Sequence, residues 1–316
     1  MRKALLVGID KYQPNADDLA GCVNDANRMR DILIENEDGS PNFDCRTLTA
    51  GDDTIEGADL LGEIDALFKD KADFALFHYS GHGTINNLGG YLMTQDSRAY
   101  REGVRMDDII TIANNSPVDE ILIILDCCHS GAFGNQPDKD NKAELREGIS
   151  ILTASRDSQL SEEEDGFGIF ASLIGDALEG GAADILGRVT VGSLYAYVDQ
   201  SLGPWAQRPL FKSHVERFTS IRNCHPALDP QILRRLTEYF DAPDAIHELD
   251  PSYEPEKKPK DPDNEAIFAD LQKMRATRLV EPLTEDHLYW EAVNKGGCQL
   301  TTLGRYYWHL VNAKRI

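Results

Sequence analysis

Short apolar runs alternate with amphipathic helical stretches over the first two-thirds of the chain, and that alternation restricts the fold most. Lys3–Ile9, Asp73–Tyr79, Glu120–Asp126 and Ile149–Ala154 are near-continuous apolar runs of strand length, so they read as buried strands. Cys45–Leu48 and Gly90–Thr94 read as further strands. Helical patterns fall at Asn24–Glu35, with Ala26, Met29, Ile32 and Leu33 on one face, around Leu60–Phe68, and at Met106–Ala113, Ile169–Leu178 and Val191–Leu202. Asn24 and Asp25 stand where the first helix wants an N-cap, and Thr54 does so for the second. The alternation predicts an α/β fold with a mostly parallel central sheet covered by helices on both faces. Such sheets gather functional residues just beyond the carboxyl ends of their strands.

Two loops at such positions stand out. Ser80-Gly81-His82-Gly83 follows the run ending at Tyr79, and Cys127-Cys128-His129-Ser130-Gly131 follows the run ending at Asp126. A thiol nucleophile needs a base within hydrogen-bond reach and donors for the oxyanion. His82 and Cys128 are 46 residues apart, a separation that one strand–helix–strand unit bridges. The glycines around His82 allow close approach of a substrate backbone. The amides of Gly83 and Cys128 are candidate oxyanion donors. The other cysteines, Cys22, Cys45, Cys224 and Cys298, have no such partners and read as packing residues. His78 lies within a strand and reads as a core side chain. No C-x-x-C pair is present, so the sequence writes neither a zinc site nor a disulfide framework.

HYSGHG (78–83) and DCCHSG (126–131) resemble the two signature loops of the caspase-like cysteine peptidases, in particular the metacaspase and bacterial orthocaspase branch. VGIDKY near the start, LAGCVNDA (19–26) and ILTASRDSQ (151–159) resemble that branch in the same order. The resemblance covers roughly residues 1–222. It implies a caspase-like fold, with Cys128 as nucleophile and His82 as general base and acid. It further implies a substrate pocket at Asp25, Ser80 and Asp126. Two carboxylates there would select a cation and repel Asp, so cleavage after Arg or Lys is expected. Many relatives bind calcium through an acidic cluster, of which Asp96, Asp107 and Asp108 resemble a part. Asn135 replaces a further acid, so no metal is assigned and no cofactor is required, with calcium kept as the alternative. The loop 135–147 matches the family's self-cleavage segment and offers Lys139, Lys142 and Arg146.

The chain therefore divides into a peptidase domain at 1–222 (large-subunit-like 1–134, polar loop 135–147, small-subunit-like 148–222). A connecting segment follows at 223–263, ending in the Pro- and charge-rich tract 250–263. The small module at 264–316 has a helical pattern, a Gly296-Gly297 hairpin-like turn and an aromatic C-terminal helix, which suits a winged helix. The formal charge is −22, nearly all of it in the first 224 residues. That excess argues against a nucleic-acid binder and suits a cationic substrate. No apolar run reaches membrane-spanning length, and the first residues lack signal-peptide anatomy, so a cytoplasmic setting without membrane contact is expected. The expected partners are a protein or peptide with exposed Arg or Lys, and a regulatory protein held by the C-terminal module. The resemblance places such peptidases in bacterial stress, cell-death or defence pathways. Three rival readings stand beside this one. They are a catalytically silent caspase-like scaffold, a regulator acting through its C-terminal module, and an enzyme with a legumain-like or separase-like pocket.

Overall fold

The computed structural model describes residues 1–12, 16–50, 54–87, 89–98, 101–127, 144–154, 163–164, 166–202, 209–216 and 219–316. Two compact units form, one from 1–183 with 188–225, the other from 184–187 with 226–316.

In chain order the first unit begins β1 (Arg2–Gly8), α1 (Cys22–Leu33), β2 (Asp44–Thr49), α2 (Gly57–Lys69) and β3 (Phe74–Ser80). Three short antiparallel strands follow, β4 (Gly83–Asn86), β5 (Gly89–Leu92) and β6 (Val104–Arg105). Then come α3 (Met106–Asn114), β7 (Glu120–Asp126), β8 (Ile149–Thr153), β9 (Glu163–Glu164), β10 (Phe167–Gly168) and α4 (Ile169–Asp176). The unit closes with β11 (Arg188–Thr190), α5 (Val191–Leu202), β12 (Leu210–His214) and β13 (Ser220–Asn223).

The central sheet has the order β12-β8-β7-β3-β1-β2. Its first five strands in sequence are parallel to their neighbours, and β12 closes one edge antiparallel to β8. Alternation along each strand sends side chains to two different cores. Val7, Phe77, Ile123 and Ile151 face α2 and α3, packing against Leu60, Ile64, Phe68 and Ile109. Leu6, Leu76, Ile124 and Leu152 face α1, α4 and α5, packing against Ala26, Met29, Ile174 and Leu194. The chain runs outward from β1 to β2 and then returns to place β3 on the other side of β1. The switch point therefore lies beyond the carboxyl ends of β1 and β3, where such sheets open a crevice.

Both helix starts differ from the sequence expectation. Asp25 lies inside the first turn of α1, and Asp10 caps the helix instead, accepting the N–H groups of Cys22 at 2.8 Å and Val23 at 3.3 Å. The first N–H of α2, that of Gly57, goes to Asp96 at 2.9 Å rather than to Thr54. In both cases a distant carboxylate supplies the cap, which the local sequence cannot show.

The second unit carries α6 (Pro230–Arg234), α7 (Leu236–Tyr239), β14 (Ile246–Glu248), α8 (Pro262–Ala276), β15 (Val280–Pro282), α9 (Leu288–Val293), β16 (Gly297–Leu300) and α10 (Thr302–Asn312). Leu228, Leu233, Leu236, Phe240 and Leu249 join its core with Leu271, Met274, Leu288 and Trp308. Residues 226–249, read from sequence as connecting chain, thus pack as part of the folded unit. Leu233 and Leu236 sit on two very short helices, too short to show a helical period, and Leu228, Phe240 and Leu249 lie outside them. The Pro-rich tract is ordered by carboxylate caps: Asp250 accepts Ser252 N at 2.8 Å, and Asp261 accepts Asp263 N at 3.1 Å. The strands are antiparallel in the order β14-β16-β15. Helix α9 intervenes between β15 and β16, so Gly296-Gly297 leads from a helix into a strand and is not a hairpin turn. The hairpin that suggested a winged helix is therefore absent from this unit's described strands.

Candidate active site

His82 lies directly beyond the end of β3, at the switch point. Gly81 turns the chain, and its N–H reaches the carbonyl of Asp126 on neighbouring β7 at 3.2 Å. A side chain at 81 would collide, since a Cβ there would lie 2.4 Å from the Tyr12 hydroxyl and 2.7 Å from that of Tyr79. Those hydroxyls are 3.2 Å apart. The Tyr12 oxygen accepts the His82 N–H at 2.9 Å, and the Tyr12 ring stands 4.7 Å from the imidazole. The His82 carbonyl accepts from Met93 N at 2.9 Å and lies 2.9 Å from the Tyr79 hydroxyl. The backbone of His82 is therefore fixed on both sides before its side chain is considered.

The imidazole is oriented as well. Nε2 lies 2.8 Å from the carbonyl oxygen of Asp17. A carbonyl only accepts, so Nε2 carries the proton and Nδ1 of the neutral ring holds the free lone pair. Asp18, next in sequence, ties down the same segment by accepting Tyr12 N at 3.0 Å and Lys11 Nζ at 3.1 Å. Tyr12, Asp17 and Asp18 escaped sequence reasoning. Three of these contacts use main-chain groups, which no residue type announces.

Cys127 is buried in the core on the α2/α3 side. Cys128, Lys139, Lys142 and Asn135 lie outside the described residues. Gly83, the other candidate oxyanion donor, begins β4 immediately after His82. Arg146 is firmly held: its guanidinium donates to the carbonyls of Val118 at 2.6 Å, Glu147 at 2.5 Å and Ala113 at 3.3 Å.

The three candidate pocket residues come together. Ser80 and Asp126 are register partners at the ends of β3 and β7, so their side chains share one face of the sheet. Asp25 reaches the same place from α1, and its Oδ2 accepts the Ser80 hydroxyl at 2.9 Å. Asp25 Oδ1 accepts Gly168 N at 3.2 Å, just before the start of α4. Burial, and after it the charge of Asp25, raises the Asp126 carboxyl to about 7. Buried beneath, His78 is the core side chain expected from sequence, and neither ring nitrogen finds a hydrogen-bond partner among the described residues. Burial lowers its pKa to about 4, which keeps it neutral.

Two of the three acids that resemble part of a calcium cluster are already engaged. Asp96 accepts Gly57 N at 2.9 Å and the Thr94 hydroxyl at 2.7 Å, and it pairs with Arg101 at 3.1 Å. Asp107 pairs with Arg105 at 2.9 Å. Among the described residues, no group of three His, Cys, Asp or Glu side chains is arranged to hold a metal. Burial raises the thiols of Cys22, Cys45, Cys224 and Cys298, which suits packing rather than reactivity.

A six-stranded α/β sheet with a buttressed histidine at its switch point and an acidic pocket beside it is the frame of a caspase-type domain. The chain belongs to the caspase domain family, which matches residues 1–219. Its relatives include metacaspases. It is 36% identical over 146 residues to Metacaspase-8 of Arabidopsis thaliana, covering 42% of this chain and 38% of that protein. It is 28% identical over 196 residues to Metacaspase-4 of the same plant, covering 57% of this chain and 44% of the relative. The chain thus spans less than half the length of these curated relatives. Among solved structures, Caspase-1 from Spodoptera frugiperda superposes with a TM-score of 0.50 at 14% identity, covering 71% of this chain and 90% of that one. A Geobacter sulfurreducens protein gives 0.53 at 19% identity, with 71% and 97% covered. These two likenesses concern the fold.

Proposed function

We propose that this chain is a cysteine endopeptidase that cuts peptide bonds after Arg or Lys. Cys128 attacks the scissile carbonyl carbon, and its proton passes to Nδ1 of His82. The oxyanion accepts the N–H groups of Gly83 and Cys128. The intermediate collapses as His82 returns the proton to the leaving amine, and water then hydrolyses the thioester with His82 again as base. The hydrogen bond from Nε2 to Asp17 supports this role, because it leaves Nδ1 as the basic nitrogen.

One observation carries the choice of a cationic substrate: buried Asp25 and half-buried Asp126 converge on one spot, with the buried Ser80 hydroxyl bonded to Asp25. A guanidinium or ammonium there offsets the mutual repulsion of two carboxylates, whereas an Asp side chain adds a third like charge. Within 135–147, Lys139 and Lys142 suit self-processing better than Arg146, whose side chain must first leave three carbonyl acceptors. The second unit is read as a regulatory module, and the setting as cytoplasmic.

The test is cleavage of fluorogenic peptides ending in Arg, Lys, Asp or Asn, with and without calcium, by wild type and by Cys128→Ala. A Cys128-dependent signal on Arg or Lys alone is expected. A signal on Asp or Asn instead would overturn the roles of Asp25 and Asp126 while keeping the enzyme. Silence on all four, with Cys128 inert to iodoacetamide, would leave a silent scaffold.

A further inference from the structure

Gly168 stands between the two pocket acids. A Cβ at this position would lie 2.9 Å from Asp126 Oδ2 and 3.2 Å from Asp25 Oδ2, with the Ala171 Cβ 3.9 Å away. Both carboxylate oxygens thus border the volume that a side chain at 168 would fill. The backbone does not demand glycine: φ is −67° and ψ 136°, values that any L-residue adopts. What requires glycine is space. Gly168 and Asp126 are half-buried, while Asp25 is buried at 3% exposure.

We propose that Gly168 is a specificity-determining residue, and that its missing side chain is the slot through which a substrate cation reaches Asp25 and Asp126 together. This rests on the peptidase reading above. Three chain segments build the slot. Strand β7 brings Asp126, helix α1 brings Asp25, and the turn from β10 into α4 brings Gly168. The turn is tied to the inner acid, since Gly168 N donates to Asp25 Oδ1. Asp25 is therefore held at the slot before substrate arrives, and a methyl group at 168 would occupy the space that the cation needs.

The experiment compares wild type with Gly168→Ala on Arg and Lys peptides. Gly168→Ser is a second variant whose hydroxyl can donate to Asp126 and relieve crowding in the empty pocket. KM is expected to rise by about tenfold or more with a much smaller change in kcat, the pattern of lost side-chain binding. The inhibition constant of agmatine, a free guanidinium probe, rises in parallel. The iodoacetamide rate at Cys128 and the melting temperature report on the dyad and the fold. KM and agmatine inhibition equal to wild type in both variants would overturn the slot alone. Wild-type cleavage confined to Asp or Asn peptides would overturn the cationic pocket and the slot with it.

Discussion

The Tyr12 hydroxyl accepts the backbone N–H of His82 at 2.9 Å while its ring lies 4.7 Å from the imidazole, so one buried side chain meets the histidine at two points. Tyr12→Phe keeps the ring and removes the acceptor. The orphaned N–H is expected to cost about 1–3 kcal/mol of stability. A histidine displaced by even a fraction of its reach is also expected to lower kcat by about ten- to a hundredfold, with KM little changed. Steady-state kinetics with a thermal melt checks both. Full activity in Tyr12→Phe would show that the hydroxyl does not position His82.

Asp126 makes the pocket sensitive to pH. Its folded-state value, about 7, lies above the ordinary 3.8 because burial and Asp25 oppose ionisation. Between those two values the folded protein holds a proton that the unfolded chain has lost. Asp126 therefore costs nothing at low pH, and its cost grows as pH rises through about 7. Asp126→Asn is expected to raise the melting temperature at pH 8 and to leave it unchanged at pH 4. In the wild type, KM for Arg peptides is expected to fall as pH rises from 6 to 8 and Asp126 ionises.

His78 has the opposite linkage. Burial lowers its pKa from 6.5 to about 4. Its neutral form is compatible with the fold above 6.5, and stability is lost as pH falls towards 4, because only the unfolded chain takes up the proton. Two ring nitrogens without a partner among the described residues add a desolvation cost at every pH. His78→Leu is expected to be neutral or stabilising by up to about 1–3 kcal/mol at pH 7. Its advantage over wild type should widen at pH 5. Denaturant titrations at both pH values decide this, and strong destabilisation at pH 7 would contradict the account.

Glu291 anchors the second unit from a fully buried position. It accepts the backbone N–H groups of Thr284, Glu285 at 2.8 Å and Gly297 at 3.0 Å. Burial pushes its carboxyl up, but these three donors outweigh that and hold it below the usual range. Glu291→Ala orphans all three donors, at about 1–3 kcal/mol each. Unfolding followed by the fluorescence of Trp290 and Trp308 is expected to move to lower denaturant. Glu291→Gln should recover part of the loss, since its carbonyl oxygen still accepts.

Much of the sheet was legible because a buried parallel strand must be apolar along its length. Lys3–Ile9 and Asp73–Tyr79 match β1 and β3 to within a residue or two. Strand β12, Leu210–His214, was missed because it is an edge strand with only one sheet neighbour and lacks a continuous apolar run. The chain from 226 to 249 was missed because helices of four and five residues show no period.

For the site, the sequence by itself pointed to the side chains proposed to carry the chemistry: His82 and Cys128 in two glycine-flanked loops, and Asp25, Ser80 and Asp126 as proposed pocket acids and hydroxyl. Those assignments follow from residue type and motif, which are local. Only the tertiary structure decided that Asp17 lends His82 a carbonyl, that Tyr12 buttresses its backbone, and that Gly168 keeps Asp25 and Asp126 open to one another. Each of these depends on main-chain atoms or on the absence of a side chain, brought together from segments as many as 143 positions apart. Residue identity does not encode such contacts; the path of the folded chain does.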